Sequence, residues 1–167
     1  AAARAVVLDK TGTLTEGRPR LEEIHSLAGG DDALALVAAA EARSEHPLAR
    51  AVVEGLAGRG VAIGAAVEEL SAVPGRGIRA RVAGQEVLVG SPALLEEAGI
   101  DLAPHRTLLE SIAARPATAV VAAVEGTPVA AFSLADTPRP SAASAVARLH
   151  AMGLRTGMVT GDGEATA

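Results

Sequence analysis

The sequence Ala5-Val6-Val7-Leu8-Asp9-Lys10-Thr11-Gly12-Thr13-Leu14-Thr15 opens apolar and β-branched, then turns polar at a carboxylate. That pattern predicts a short buried strand ending in a loop. In open α/β sheets functional groups gather beyond the carboxyl ends of the strands, which puts Asp9 at a sheet mouth with Thr11, Gly12 and Thr13 turning around it. Gly12 permits close backbone approach to a ligand, and the threonines offer hydroxyl and N–H donors to an anion. A carboxylate among phosphate donors can attack a phosphoryl group and become an aspartyl-phosphate. Asp, Thr and Gly are also ordinary turn residues. The phosphoryl chemistry is favoured by the number of specified positions following a strand, not by any one of them.

The chain of 167 residues is long enough for one ordinary domain or two small ones. Hydrophobic residues make up 49%, but Phe132 is the only aromatic, so the core must be built from many close contacts between small side chains. A formal charge of −5 gives no basis for a nucleic-acid partner. With no cysteine there is neither a disulfide framework nor a thiolate metal site. No apolar run approaches the roughly 20 residues needed to span a bilayer, and no signal peptide is visible. Lys10 is the only lysine and no Gly-Lys-Ser/Thr follows a glycine-rich loop, so the common P-loop is excluded. Because the sequence starts at Ala1 directly before a strand, it is expected to be a fragment.

Further along, Glu16-Gly17-Arg18-Pro19 is a polar break that predicts a linker, and Arg20–Leu27 predicts a strand. Asp31 and Asp32 are candidate N-caps of a helix reaching about Ser44. His46-Pro47 interrupts it, and Pro47 opens a second helix that ends near Gly58, giving a helical hairpin. From Val61 to Val89 the period changes to two, with three short strands and a turn at Ala83-Gly84. Ser91-Pro92 caps a short helix that ends at Gly99, and another helix is expected over 104–113. Thr118–Val124 and Val129–Leu134, linked by Glu125-Gly126-Thr127-Pro128, form a second hairpin. After the stiff segment Asp136-Thr137-Pro138-Arg139-Pro140 come a helix over 141–152 and a strand over 155–159 that enters Thr160-Gly161-Asp162. This helix-then-strand order suits the α/β character of the opening residues. The expected fold is therefore an α+β domain, an antiparallel sheet flanked by helical hairpins, inserted into an incomplete α/β domain. The two proline-containing breaks would be paired hinge strands.

Two further clusters stand out. In Glu41…Ser44-Glu45-His46-Pro47, a lone histidine at a helix corner is more often a surface or capping residue than a ligand contact. An adenine ring is usually held by an aromatic or imidazole face, however, and the region has no Tyr or Trp. His46, fixed by Pro47, is the natural stacking group. In Val73-Pro74-Gly75-Arg76-Gly77-Ile78, the glycines precede a strand instead of a helix, so this is no dinucleotide fingerprint. Gly75 and Gly77 can still let a phosphate or ribose lie against the backbone.

Taken together, Asp9-Lys10-Thr11-Gly12-Thr13-Leu14-Thr15, Ser44-Glu45-His46-Pro47 and Gly75-Arg76-Gly77 resemble the heavy-metal-transporting P-type ATPases of the P1B class. The headpiece of these ion pumps is haloacid-dehalogenase-like. The resemblance implies an ATP-binding cytoplasmic fragment of a transporter that forms an aspartyl-phosphate. Asp9 would be the phosphorylated nucleophile, with Lys10 and Thr11 beside it. Thr11 stands where many haloacid-dehalogenase-like relatives carry a second Asp as general acid/base. Glu41 and His46 would approach adenine, Gly75 and Gly77 would line the groove, and Ser91 stands at a position often Asn. Thr160 and Asp162 resemble the second phosphate-site motif, with Gly163 in place of the usual Asn. Asp136 and Arg139 resemble a ribose and phosphate contact. A magnesium ion would use Asp9 and the backbone carbonyl near Thr11, because the family's later acidic segment and phosphate-binding lysine are absent from these residues.

The implied division is 1–17 and 135–167 for the phosphorylation domain and 18–134 for the nucleotide-binding domain. The partners would be ATP and a metal ion held by membrane helices outside the chain, which itself would sit at the cytoplasmic face without entering the membrane. His-Pro-Leu-Ala-Arg-Ala, Val-Gly-Ser-Pro and Asp-Thr-Pro-Arg-Pro resemble zinc-, cadmium- or cobalt-type members more than copper ones. The competing readings are a non-catalytic soluble nucleotide-binding module and a free-standing haloacid-dehalogenase-like phosphatase, the latter disfavoured by Thr11.

Overall fold

A computed structural model of the chain describes residues 4–159, apart from the side chain of Thr11. Two sheets share the molecule. Strand β1 (Ala5–Asp9) pairs in parallel with β8 (Arg155–Val159), so that Asp9 lies opposite Val159. Residues 15–138 between them form a six-stranded antiparallel sheet in the order β2-β7-β6-β5-β4-β3, with helices on both faces. Its strands are β2 (Thr15–Ser26), β3 (Val67–Val73), β4 (Gly77–Val82), β5 (Gln85–Gly90), β6 (Thr118–Val124) and β7 (Thr127–Pro138).

On one face lie α1 (Gly30–Glu41) and α2 (Pro47–Ala57), packed on Ile78, Ala80, Val87, Val120 and Phe132. On the other lie α3 (Pro92–Glu97) and α4 (Arg106–Ala113), packed on Leu88, Val121 and Ala131. The alternation of adjacent residues between the two clusters is the period-two pattern of a strand covered on both faces. Phe132 is fully buried, which removes the only aromatic ring from any surface role. Small residues let the layers close up: a Cβ on Gly55 of α2 would lie 2.2 Å from Leu21 of β2. Helix α5 (Ala142–Ala151), by contrast, buries none of its residues.

Several local expectations change. Helix α1 starts at Gly30, with Gly29 in the left-handed region as its cap residue. Asp31 and Asp32 sit inside the first turn, where they favour the positive end of the helix without capping it. Both hairpin turns have two residues, Ala83-Gly84 and Glu125-Gly126, all at positive φ. Right-twisted strands favour this type I′ geometry, so Thr127 and Pro128 belong to β7.

The proline-containing segments pair as hinge strands, as expected, and residues 16–19 are part of a strand instead of a linker. Strand β2 runs from Thr15 through Pro19, and β7 continues to Pro138, with Thr15 opposite Pro138 and Pro19 opposite Asp136. An irregularity between Thr15 and Pro19, with Gly17 at φ 69°, absorbs the lost ladder bonds.

The two glycines of the 73–78 segment do different work. Val73-Pro74-Gly75-Arg76 closes a turn in which the Arg76 N–H donates to Val73 C=O at 3.0 Å, with Gly75 at φ 69°. Proline followed by a positive-φ glycine is a type II turn. A Cβ on Gly75 would meet open space, whereas one on Gly77 would lie 2.1 Å from Val89 C=O and 2.6 Å from Gly90 Cα. Gly77 is therefore required by the β4–β5 approach itself, whatever else passes over it. Gly77→Ala should cost about 3 kcal/mol or more by forcing the strands apart. Gly75→Ala should cost only about 1 kcal/mol, the strain of a left-handed alanine. Urea unfolding midpoints check this, and equal losses would contradict it.

Candidate functional site

Asp9 ends β1 with an exposed side chain, and Lys10–Leu14 then form one wide helical turn. No side-chain hydrogen bond engages the Asp9 carboxylate among the described residues. The turn is held instead from Thr15, which is buried. The Gly12 N–H donates to Thr15 Oγ1 at 3.1 Å, and Thr15 Oγ1 donates to Asp136 Oδ2 at 2.5 Å.

Asp136 is the centre of this arrangement. Its Oδ2 also accepts the Gly17 N–H at 3.1 Å, and its Oδ1 accepts the Arg18 N–H at 3.0 Å. These side-chain bonds replace the ladder bonds missing where β2 is irregular. A carboxylate has about four lone-pair sites, so three acceptances leave one. Arg139 completes the clamp: its guanidinium donates to Gly12 C=O at 2.9 Å and its N–H to Leu14 C=O at 2.8 Å. The structure thus brings Asp9, Lys10, Asp136 and Arg139 together around one turn, with Thr15 as a node that sequence reasoning missed. Thr160, Asp162 and Gly163 lie outside the described residues, directly after Val159, which stands beside Asp9.

The second cluster lies away from this clamp. His46 is exposed and caps α2: its Nδ1 accepts the Leu48 N–H at 3.2 Å, with Pro47 in the first helical position. Accepting at Nδ1 places the ring proton of the neutral tautomer on Nε2. The capping role and a free ring face are compatible. Glu41, at the end of α1, is only 6% exposed, and burial raises its pKa to about 7. Ser91 caps α3 by accepting the Leu94 N–H at 3.3 Å, and its own N–H donates to Arg76 C=O at 2.8 Å. The 73–77 turn, Gly90 and the hinge ribbon all lie at the end of the sheet opposite the Ala83-Gly84 and Glu125-Gly126 turns. Helix α1 begins beside Val129 of β7 and packs on every strand from β7 to β3.

A cleft of about 600 Å³ lies elsewhere, between the hinge ribbon and α5, and is lined by Lys10, Leu14, Thr15, Asp136, Val146 and Met158 among others. Glu41, His46 and Gly75 do not line it. One ion-pair cluster was also not foreseen. Arg115 forks onto Glu23 at 2.8 and 3.0 Å, and His25 Nε2 stands 3.0 Å from Glu23 Oε2. The Arg115 hydrogen bonds hold the Glu23 carboxyl down at about 2. The pair ties the loop before β6 to β2.

Residues 3–167 match the family described as "Hydrolase: haloacid dehalogenase-like hydrolase", and the chain belongs to that family. Over 167 residues it is 40% identical to the "Copper-transporting ATPase 2" of Rhizobium meliloti (strain 1021), covering 99% of the chain and 20% of that protein. The "Probable cobalt/nickel-exporting P-type ATPase" of Mycolicibacterium smegmatis is 45% identical over 144 residues, 86% of the chain and 21% of that protein. Among solved structures, a zinc-transporting PIB-type ATPase in its E2.Pi state matches with a TM-score of 0.70 and 31% identity, over 98% of the chain and 26% of that one. The catalytic CPx-ATPase domain CopB-B matches with a TM-score of 0.71 and 27% identity, over 98% of the chain and 54% of that one. The chain spans about a fifth of the length of the curated relatives it matches. Its relatives are heavy-metal P-type ATPases. Its fold is their α+β nucleotide-binding sheet inserted into a haloacid-dehalogenase-like α/β frame.

The raised Glu41 pKa has a consequence for stability. The folded chain keeps this proton to higher pH than the unfolded chain, whose value is 4.5. The associated stability is fully present below pH 4.5 and is lost as pH rises through about 7. Glu41→Gln abolishes the titration. Its stability relative to wild type should increase between pH 5 and pH 8, by about 2 kcal/mol. A pH-independent difference in urea midpoints would contradict this.

Proposed function

We propose that the chain is the ATP-binding and phosphoryl-accepting part of an ATP-driven heavy-metal pump, with Asp9 as the residue phosphorylated. The observation that carries this reading is the placement of Asp9. It is exposed at the carboxyl end of a parallel strand, on a turn whose backbone is hydrogen-bonded through Thr15 and Arg139 to the hinge. The identity to copper- and cobalt/nickel-transporting ATPases supports it.

In this reading the γ-phosphoryl of ATP is attacked by an Asp9 oxygen in line with the departing ADP, and the bond to the β-phosphate bridging oxygen breaks. Lys10 and Thr11 flank the nucleophile, and Thr160 and Asp162 complete the phosphate site. Magnesium binds through one or two carboxylates together with substrate phosphates and keeps several waters. The exposed Asp9 carboxylate, free of side-chain hydrogen bonds among the described residues, fits that need, and a backbone carbonyl near Thr11 is taken as a further ligand. When bound, the ion supplies charge compensation on the phosphates. Adenine lies at the Glu41–His46 corner, with Gly75 and Gly77 along the groove. Ser91 accepts as a helix cap and keeps its O–H to donate. Asp136 is largely occupied by the hinge, and its one remaining lone-pair site suits a ribose hydroxyl, while spare Arg139 donors suit a phosphate.

We take residues 18–134 as the nucleotide-binding domain and 1–17 with 135–167 as the flanking phosphorylation part. No helix among the described residues is long and apolar enough to cross a membrane. The membrane helices and ion ligands are assigned to the remainder of the protein, which places this part at the cytoplasmic face. The transported ion is a soft or borderline metal. The curated relatives' names divide between copper and cobalt/nickel, and a solved structure at 31% identity is zinc-transporting, so the names do not single out one metal.

In the intact protein, label from γ-labelled ATP should resist acid quenching and vanish in Asp9→Asn. ATP binding without any label would leave a non-catalytic module, and label that Asp9→Asn retains would overturn the assignment. The chain by itself should bind ATP without turnover, since the second magnesium carboxylate and the phosphate-binding lysine of the family are not among its residues. His46→Ala should weaken ATP binding by about 1–2 kcal/mol, the scale of a stacking contact. An unchanged isotherm would remove His46 from the site.

A further inference from the structure

The hydroxyl of Thr15 stands among three hydrogen-bond partners and has one proton to share. Its oxygen accepts the Gly12 N–H at 3.1 Å. Its proton has two acceptors in reach, Asp136 Oδ2 at 2.5 Å and Lys10 C=O at 3.2 Å. A hydroxyl carries a single proton, so the two compete for it. The ionised carboxylate is the nearer and the stronger acceptor, and Lys10 C=O already accepts the Thr15 N–H. In the structure the proton belongs to Asp136.

That balance depends on what else Asp136 holds. Oδ2 takes Thr15 and Gly17, and Oδ1 takes Arg18, so the lone-pair site left over is on Oδ1. Asp136 is half-buried and lines the cleft beside the hinge together with Thr15 and Lys10. A ligand hydroxyl that donates to Oδ1 draws negative charge from the carboxylate and weakens it as an acceptor for Thr15. The Thr15 proton then shifts its share toward Lys10 C=O. Bonds in such a chain polarise one another, and a hydroxyl that donates to a full charge is a better acceptor than one that donates to a neutral carbonyl. The bond from the Gly12 N–H to Thr15 therefore weakens. Arg139 takes no part in this exchange, because the bonds it makes to the turn go to the Gly12 and Leu14 carbonyls. The carbonyl side of the turn stays held while the N–H side changes.

We propose that Thr15 is a relay through which a ligand hydroxyl on Asp136 alters the turn that carries Asp9. This rests on the reading of Asp136 as the ribose contact. Thr15 acts here as a positioning residue: it touches neither the nucleotide nor the phosphoryl group, and the placing of its proton passes the occupancy of the hinge to the phosphoryl acceptor. Serine in its place keeps a hydroxyl and so keeps the relay. Valine matches threonine in shape but can neither donate nor accept.

The test follows the backbone amide signals of the whole chain by NMR during titration with adenosine, and separately with adenine. Adenosine carries the ribose hydroxyls but no phosphate, so it brings no anion to the Asp9 turn, and adenine has no hydroxyl at all. Wild type, Thr15→Ser and Thr15→Val are compared. Adenosine should move the Gly17 and Arg18 amides, which donate to Asp136 directly, in all three proteins. It should move the Gly12 amide proton upfield, as a weakened hydrogen bond does, in wild type and Thr15→Ser but not in Thr15→Val. Adenine should move none of them. A wild-type Gly12 signal that stays still while Gly17 and Arg18 move would overturn the relay and leave the ribose reading standing, and this arm needs no variant to fold. A Gly12 response as large in Thr15→Val as in wild type would also overturn the relay. Gly17 and Arg18 signals that ignore saturating adenosine, or that move equally with adenine, would overturn the ribose reading of Asp136 and this inference with it.

Discussion

The carboxylate of Asp136 is the constraint on which the arrangement of the molecule depends. It sits where the antiparallel sheet narrows to a two-stranded ribbon and β2 cannot keep its ladder, because Pro19 has no N–H and Gly17 turns aside. An ionised carboxylate is the strongest available acceptor for the backbone donors left over. By taking Gly17 and Arg18 together with the Thr15 hydroxyl, it restores the pairing and fixes the direction in which the chain leaves β1. Thr15 passes that constraint to Gly12, and Arg139 repeats it on the Gly12 carbonyl. The turn carrying Asp9 is thus bonded to the hinge, while Asp9 itself stays free to react.

This division of labour explains why most polar residues of the site also have structural work. His46 caps a helix, Ser91 caps another, and Gly77 lets β4 and β5 touch. An alanine- and valine-rich core has no large side chains to brace a loop, so caps and close approaches supply the rigidity. Asp9 and Glu41 are the exceptions. One is exposed and the other buried, and neither has a side-chain partner among the described residues, which is the condition expected of groups that act on a ligand.

The elements most legible in the sequence were those with local causes. Ala83-Gly84 and Glu125-Gly126 marked turns because the second residue of each is glycine, and Pro47 and Pro92 marked helix starts because proline lacks a donor that a helix start does not need. The hinge was harder to read. Glu16–Pro19 and Asp136–Pro140 carry every local sign of a break; that they pair as hinge strands followed from the order of the elements, whereas the Asp136 side chain that closes the pairing had no local signal. The helix cap at Gly29 was hidden for a similar reason, since Asp31 and Asp32 are better capping residues by type and lose only on position. In the site, Asp9 and the Glu41–His46 corner could be named from motifs. The importance of Thr15 could not, because it arises from a contact with a residue 121 positions away.

Amide hydrogen exchange in Asp136→Ala tests the central coupling most directly. If the hinge carboxylate holds the Asp9 turn, the Gly12, Gly17 and Arg18 amides should exchange about tenfold faster or more than in wild type, while those of Val87 and Val121 in the sheet keep their protection. Faster exchange confined to Gly17 and Arg18, with Gly12 unchanged, would contradict the coupling and reduce Asp136 to a local repair of β2.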